Sequence, residues 1–68
     1  MRKQLKAARS AAELTQKETA QKIGISEIYY RSIESGTREG KGHLWDALEI
    51  LFNTPQRQLR ANDNNESI

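Results

Sequence analysis

The chain has 68 residues, no cysteine and a formal net charge of +2 at pH 7. A chain of this length builds one small domain, too small for a large catalytic cleft, and the lack of cysteine excludes disulfides and thiolate metal sites. No run of about 18 apolar residues predicts a membrane span, and the basic N-terminus lacks the apolar stretch of a secretion signal. We therefore expect a cytoplasmic protein. No cofactor is predicted.

The first predicted helix covers residues 2–12, where apolar side chains recur at helical spacing. These side chains are Leu5, Ala8 and Ala12. The second predicted helix covers residues 16–23 and begins after Thr15, which forms a capping-box pattern with Glu18 three residues later. Gly24 ends this helix, because glycine readily adopts the left-handed conformation at a helix terminus.

A third helix is predicted over residues 27–35, with Ser26 as its N-cap and Gly36 at its C-terminal end. A loop over residues 37–42 follows, and a fourth helix is predicted from about residue 43 to 52. The fourth helix carries one apolar stripe, formed by Leu44, Ala47, Leu48 and Leu51.

The C-terminal part contains one more short helix. Thr54 and Pro55 have the pattern of an N-cap and a first helical residue, and the helix ends near Leu59. The polar residues 61–68 predict a disordered tail, which leaves residues 1–60 as the domain. Because no segment alternates with a period of two, the predicted fold class is all-α with five helices.

Residues 15–36 contain two short helices joined by a tight glycine turn, which is the essential part of a helix-turn-helix. Ala20 is small where the second helix has to cross closely, and Gly24 occupies a turn position that would strain a larger residue. Three apolar residues then hold the second helix to the core, namely Ile25, Tyr30 and Ile33.

The run Leu14-Thr-Gln-Lys-Glu-Thr-Ala-Gln-Lys-Ile-Gly-Ile-Ser26, together with Ser32-Ile-Glu-Ser-Gly36, resembles the Cro/lambda-repressor family of bacterial and phage regulators. It is similar to the xenobiotic-response-element subgroup in particular. The resemblance covers about residues 3–52. It implies a five-helix lambda-repressor-like fold and a transcriptional repressor that binds double-stranded DNA as a homodimer on a palindromic operator.

Two positions depart from the family pattern. Thr19 stands where the family has a buried leucine, and Tyr30 stands where it has isoleucine or valine, so the Tyr30 hydroxyl needs a buried partner. The resemblance also implies a partly buried salt bridge between Arg9 and Glu34 that orients the second helix of the motif. Its net stabilisation is expected to be small, because desolvation offsets much of the attraction.

The resemblance makes the segment Ser26–Ser35 a recognition helix. The outward residues expected to contact DNA are Ser26, Glu27, Ile28, Tyr29, Arg31 and Ser32. By its chemistry Arg31 would donate to guanine, Glu27 would accept from cytosine N4, and Ile28 would contact a thymine methyl group. Alternatively, Arg31 is simply solvated and Glu27 stabilises the start of its own helix.

Phosphate contacts are expected on both sides of that helix. The resemblance assigns one to Gln16, whose backbone amide also lies at a helix N-terminus that favours anions. Arg38 and Lys41, in the loop after the recognition helix, suit the same role. The alternative for Gln16 is an ordinary surface residue. His43 has no second ligand at metal-binding spacing, so no metal site is predicted.

Charge is distributed unevenly along the chain. Residues 1–42 carry nine Lys and Arg against five Asp and Glu, whereas residues 43–68 carry two against four. This favours a polyanionic partner on one side, although chance unevenness explains it as well. The alternative function is a protein–protein adaptor of the antitoxin or anti-repressor type, in which adjacent Ile28 and Tyr29 bind a regulatory protein.

Three apolar residues beyond the motif are candidates for a dimer interface, namely Trp45, Phe52 and Leu59. Trp45 and Phe52 are seven residues apart and therefore lie two turns apart on the same helix face. A dimer would place two recognition helices about 34–36 Å apart on a palindromic site. The alternative is that these side chains fill the core.

Overall fold

The structure is a computed structural model that describes residues 1–62. Its elements are α1 (Lys3–Ala11), α2 (Gln16–Ile23), α3 (Glu27–Ser35), α4 (Gly42–Phe52) and α5 (Gln56–Arg60). The predicted all-α class with five helices is confirmed, and the described residues contain no strand. None of the helices within residues 1–62 is both long and apolar enough to cross a membrane.

Local capping fixes the two helices of the motif at their predicted bounds. The Thr15 hydroxyl accepts a hydrogen bond from the Glu18 amide at 3.0 Å, and the Glu18 carboxylate accepts one from the Thr15 amide at 2.9 Å. Gly24 ends α2 with a φ of 79°, where a side chain would be strained. The Ser26 hydroxyl then caps α3 by accepting from the Tyr29 amide at 3.1 Å.

The start of α5 differs from the prediction. Thr54 does not cap it, because the Thr54 hydroxyl turns back and donates to the carbonyl of Phe52 at 2.9 Å. Pro55 is the N-cap instead, and its carbonyl accepts the first hydrogen bonds of α5 from Gln58 and Leu59.

One contiguous core lies among the five helices. It consists of Leu5, Ala20, Tyr30, Ile33, Leu44, Trp45, Leu48 and Leu59. Ala20 is 1% exposed, and α2 packs closely on α3, as expected where two helices cross at a small residue. Thr19 is also buried, and its hydroxyl donates to the Thr15 carbonyl at 2.9 Å, so the departure from leucine leaves no unpaired polar group there.

The dimer-interface prediction needs correction at two residues. Trp45 and Leu59 are both 0% exposed, because α5, which carries Leu59, packs against α1 and α4. The indole N–H of Trp45 donates to the Glu39 carbonyl at 2.9 Å. Both residues therefore fill the core and have no surface for a partner, whereas Phe52 remains partly exposed.

Asn62 contacts the domain although it was predicted to belong to the tail. Its side-chain oxygen accepts from the Met1 amino group at 2.9 Å, and its side-chain nitrogen donates to the Gly36 carbonyl at 3.1 Å. The ordered domain therefore includes Asn62. The rest of the predicted tail, residues 63–68, lies outside the described residues.

Candidate nucleic-acid interface

The outer face of α3 is exposed because the helix is amphipathic. Tyr30, Ile33 and Glu34 recur at helical spacing and point into the protein. On the opposite side Ile28 is 82% exposed and the Arg31 side chain is 61% exposed. The outer face of α3 therefore presents an apolar side chain next to a cationic one.

Glu27 and Arg31 form an ion pair on this face. The Arg31 Nη2 atom lies 2.6 Å from the Glu27 Oε2 atom, one helical turn away. This pairing explains why two residues of opposite charge share the exposed face. Each residue was expected to make a separate base contact, with solvation of Arg31 and a helix-start role for Glu27 as alternatives, although their i, i+4 spacing is a known signal for such a pair.

Ser32, Tyr29 and Arg38 form the C-terminal part of the same surface. The Ser32 hydroxyl donates to the Tyr29 carbonyl at 2.6 Å, and the Arg38 amide donates to the Ser32 carbonyl at 3.2 Å. The Arg38 guanidinium carbon lies 5.8 Å from the centre of the half-buried Tyr29 ring. A hollow of about 280 Å³ is lined by Ser26, Ile28, Tyr29, Ser32 and Arg38.

Basic side chains lie beside this surface. A groove of about 630 Å³ is bounded by the turn of the motif and the start of α4, and Arg38, Lys41 and His43 contribute to its lining. Lys41 is exposed and precedes the first residue of α4. Arg38, Lys41 and the free amides of the α4 N-terminus together produce a positive field, which suits contact with phosphates.

Gln16 opens α2 and is half-buried. Its side-chain nitrogen donates to the Glu34 Oε1 atom at 2.9 Å. A primary amide has two N–H donors, so one hydrogen remains for a ligand at this helix N-terminus. The structure therefore places Gln16 between the interior network and the outer surface.

Glu34 is the centre of a buried polar network that joins α1, α2 and α3. It is 2% exposed and accepts from the Arg9 Nε atom at 2.7 Å, from Arg9 Nη2 at 3.2 Å and from the Tyr30 hydroxyl at 2.8 Å. Arg9 also donates to the Leu14 carbonyl at 2.8 Å. The expected Arg9–Glu34 ion pair is thus present, and it supplies the partner that the Tyr30 hydroxyl needs.

Ionisation within this network follows from burial and hydrogen bonding. Burial alone would raise the pKa of Glu34, but hydrogen bonds from Arg9, Tyr30 and Gln16 together outweigh it and lower that pKa. The hydrogen bond to Glu34 raises the pKa of Arg9. Burial, and then the neighbouring Glu34 carboxylate, raise the pKa of Tyr30. At neutral pH the network is therefore Arg9 cation, Glu34 anion and neutral Tyr30.

Arg2 holds the C-terminal end of α3, a role that sequence analysis missed. Arg2 is 1% exposed, and its side chain donates to the carbonyls of Ile33, of Arg38 at 2.8 Å and of Arg60 at 3.1 Å. Its backbone amide donates to the Glu34 carbonyl at 2.9 Å. Burial is the main reason why the pKa of Arg2 is lowered. A cation is favourable here, because carbonyl groups concentrate negative charge at a helix C-terminus.

A family model described as Helix-turn-helix matches residues 5–55, which is most of the chain. The chain belongs to this helix-turn-helix family. It is a Cro/lambda-repressor-like, xenobiotic-response-element-type regulator that binds DNA, and its resemblance to that family is confirmed. Comparisons with curated proteins and with solved structures found no match.

Within the helix-turn-helix, α2 is the first helix and α3 is the second, which is the helix expected to contact DNA. Five of the residues expected to contact DNA line the hollow on the face of α3. They are Ser26, Ile28, Tyr29, Ser32 and Arg38. Glu27 and Arg31 lie on that helix as an ion pair. Lys41 lines the neighbouring groove, whereas Gln16 projects from α2 toward Glu34.

Proposed function

We propose that this helix-turn-helix protein is a homodimeric repressor that inserts α3 into the major groove of a palindromic operator. The observation that carries the proposal is the outward face of α3. This face combines 82% exposed Ile28 with exposed Arg31, and both side chains have chemistry that reads base edges.

Base contacts are assigned by donor and acceptor chemistry. Arg31 donates to guanine O6 and N7, Glu27 accepts from cytosine N4, and Ile28 packs on a thymine methyl group. Ser26 and Ser32 lie beside Ile28 at the hollow and add hydrogen bonds at base edges or phosphates. Tyr29 contributes its ring to the same hollow or its hydroxyl to a phosphate.

Phosphate contacts position the protein and carry no sequence information. We assign them to Gln16 at the α2 N-terminus and to Arg38 and Lys41 after the recognition helix. These residues precede and follow α3 in the chain, which is the arrangement needed to hold a helix in the groove from both strands. The rigid Glu34 network supports the arrangement, because it ties Gln16 and α3 to α1.

Dimerisation is assigned to the end of α4. Phe52 is partly exposed there and Ile50 is 82% exposed on another side of the helix, so each leaves apolar surface near the end of α4. Trp45 and Leu59 support this surface from the core. In a dimer the two recognition helices would lie about 34–36 Å apart, which matches two half-sites separated by one turn of DNA.

Repression follows from occupancy of a promoter in the cytoplasm. A bound dimer covers the operator and blocks access of the polymerase, which needs no further surface on the protein. Release from DNA is assigned to a change in concentration or to a regulatory protein partner. A small molecule that released the purified protein from its DNA would contradict this assignment.

Selection from random duplex DNA tests the proposal, followed by equilibrium binding to the enriched site at 50 and 200 mM salt. We expect an inverted repeat, one dimer per site, and an affinity that falls steeply as salt rises, because phosphate contacts release counterions. A promoter with this site placed over its start should lose transcription when the protein is added. No enrichment, with binding no tighter than about 10⁻⁴–10⁻⁶ M, would contradict sequence-specific recognition.

The second candidate function is a protein–protein adaptor of the antitoxin or anti-repressor type. The observation that favours it is the exposure of Ile28 beside the Tyr29 ring, since such an apolar surface also suits a protein partner. Salt distinguishes the two functions, because a hydrophobic contact weakens little between 50 and 200 mM salt.

A further inference from the structure

Glu27 is the acidic side chain of α3 that reaches the protein surface. The other acid of α3, Glu34, is buried and bound by Arg9. Glu27 instead lies on the surface that faces DNA in the proposed function, and its carboxylate engages Arg31 at 2.6 Å. A negative charge at this place opposes the attraction of phosphates on which all non-specific DNA binding depends.

Stability does not account for the pair. The Arg31 side chain is 61% exposed and the Glu27 side chain is 34% exposed. Exposed ion pairs of this kind add little to folding, because water screens the charges and two long side chains lose freedom. Ser26 caps the start of α3 by accepting from the Tyr29 amide, whereas the Glu27 carboxylate accepts from Arg31.

We propose that Glu27 is a specificity-determining residue that holds Arg31 away from phosphates and thereby weakens binding to DNA of arbitrary sequence. This inference rests on the proposed function. On arbitrary DNA the carboxylate remains unpaired by any base and Arg31 stays bound to it, so the surface makes one cationic contact fewer. On the correct site both groups find partners: Arg31 meets guanine, and Glu27 meets an amino group of cytosine.

The pair therefore lowers the affinity for non-matching DNA as well as contributing contacts to the matching site. Opposing charge at a recognition surface discriminates by penalising unmatched partners. A neutral side chain of the same shape would keep the hydrogen bond to cytosine but would lose the repulsion. Affinity for random DNA should then rise, and the preference for the operator over random DNA should fall.

Glu27→Gln is the variant that tests this. We measure dissociation constants for the selected site and for a random duplex over 50–300 mM salt. Non-specific affinity should increase roughly two- to tenfold, because one repulsive charge near the phosphates is removed. The non-specific salt slope should steepen by about 0.9, because the released Arg31 neutralises one more phosphate. Affinity for the selected site should rise less than this or fall, because a glutamine oxygen accepts a weaker hydrogen bond from cytosine than a carboxylate does, so the ratio of specific to non-specific affinity should decrease.

Two further variants separate the mechanism from a general charge effect. Asp46→Asn removes the same charge from α4, where Asp46 accepts from Gln56, and should leave the ratio of the two affinities unchanged. The gain in non-specific affinity from Glu27→Gln should be at most half as large when it is made in Arg31→Gln and compared with Arg31→Gln alone. The reason is that Glu27 weakens non-specific binding by holding Arg31. An equal gain for Asp46→Asn, or an unchanged ratio for Glu27→Gln, overturns the proposal.

The same data separate this inference from the proposed function. If the wild-type protein prefers no site over random DNA, the proposed function fails and the role of Glu27 falls with it. If the wild-type protein discriminates and Glu27→Gln discriminates equally well, only the inference is overturned.

Discussion

Glu34 is a buried carboxylate whose charge is stabilised by hydrogen bonds from three side chains. Arg9, Tyr30 and Gln16 all donate to it, and these bonds keep the pKa of this buried carboxyl below its ordinary value. A carboxyl with a lowered folded-state pKa stabilises the fold above its unfolded pKa of about 4.3 and loses that contribution as the pH falls through the folded pKa.

We therefore expect the free energy of unfolding to decrease on acidification below about pH 4. In Glu34→Gln this part of the pH dependence should be absent, and at neutral pH the variant should be less stable by about 3 kcal/mol, because Arg9 loses its buried anion. Urea unfolding between pH 2.5 and 7 measures both effects. The exposed Glu13→Gln variant is the control, and an equal change in its pH profile would contradict the special role of Glu34.

Ile28 gives a second prediction at the scale of one residue. If its exposed side chain packs on a thymine methyl group, replacing that thymine by uracil in the selected site should weaken binding about three- to fourfold, the value of one buried methyl. Ile28→Ala should bind the thymine and uracil sites equally. An equal uracil penalty for both proteins would place the methyl contact on another residue.

At the scale of the helices, capping residues and helix-ending glycines were sufficient to predict where α2 and α3 begin and end. Thr15, Ser26 and the two helix-ending glycines act on neighbouring backbone groups, so their effect is readable from the sequence and the predicted bounds agree with the structure. Thr54 was predicted to cap α5 on the same grounds, but its hydroxyl donates to the carbonyl of Phe52 instead. A capping residue has two local choices, and the sequence does not decide between them.

Contacts distant in sequence were not predictable in this way. Arg2 meets the carbonyls of Ile33, Arg38 and Arg60, which are brought together only by the packing of α1, α3 and α5. Trp45 and Leu59 were assigned to a surface because an apolar stripe shows which side of a helix is buried but not what covers it. The Arg9–Glu34 pair is also distant in sequence, and it was predicted only through the family resemblance.

Arg2 provides the prediction for the recognition helix as an element. Arg2→Met keeps the bulk but removes the donors at the C-terminal end of α3, so buried carbonyls lose partners at a cost of about 2–4 kcal/mol. Amide hydrogen exchange at Gly36 and Thr37 should accelerate more than exchange in α2. Lys3→Met changes an exposed neighbour by the same loss of charge and should leave exchange unchanged.

Arg2→Lys distinguishes charge from geometry at this site. A lysine retains the positive charge but lacks the planar fork that reaches several carbonyls at once. We expect it to restore only part of the lost protection. Full protection in Arg2→Lys would mean that the charge alone stabilises the end of α3.

At the scale of the whole molecule, the proposed function assigns different roles to two exposed isoleucines. Ile28 on α3 and Ile50 on α4 are both 82% exposed, but only Ile50 belongs to the proposed dimer contact. Ile50→Asp should therefore shift the monomer–dimer equilibrium toward the monomer by tenfold or more, since a charge buried at an apolar interface is costly. Sedimentation equilibrium measures this shift directly.

Ile28→Asp is the matched control for that experiment. It introduces the same charge on the DNA-facing surface and should leave the dimer constant unchanged while it abolishes operator binding. Weaker dimerisation in Ile28→Asp, with none in Ile50→Asp, would show that the chain associates through α3 instead and would favour the adaptor function.

The central claim is that α3 reads bases through its outward face, and parallel selections test it most directly. Wild-type protein and Arg31→Ala are each used to enrich sites from the same random duplex pool. We predict an inverted repeat for the wild-type protein, and for the variant the same repeat with one guanine per half-site no longer selected and an affinity lower by about 1–3 kcal/mol. Identical enriched sites from both proteins would contradict the account, because Arg31 would then not face the bases.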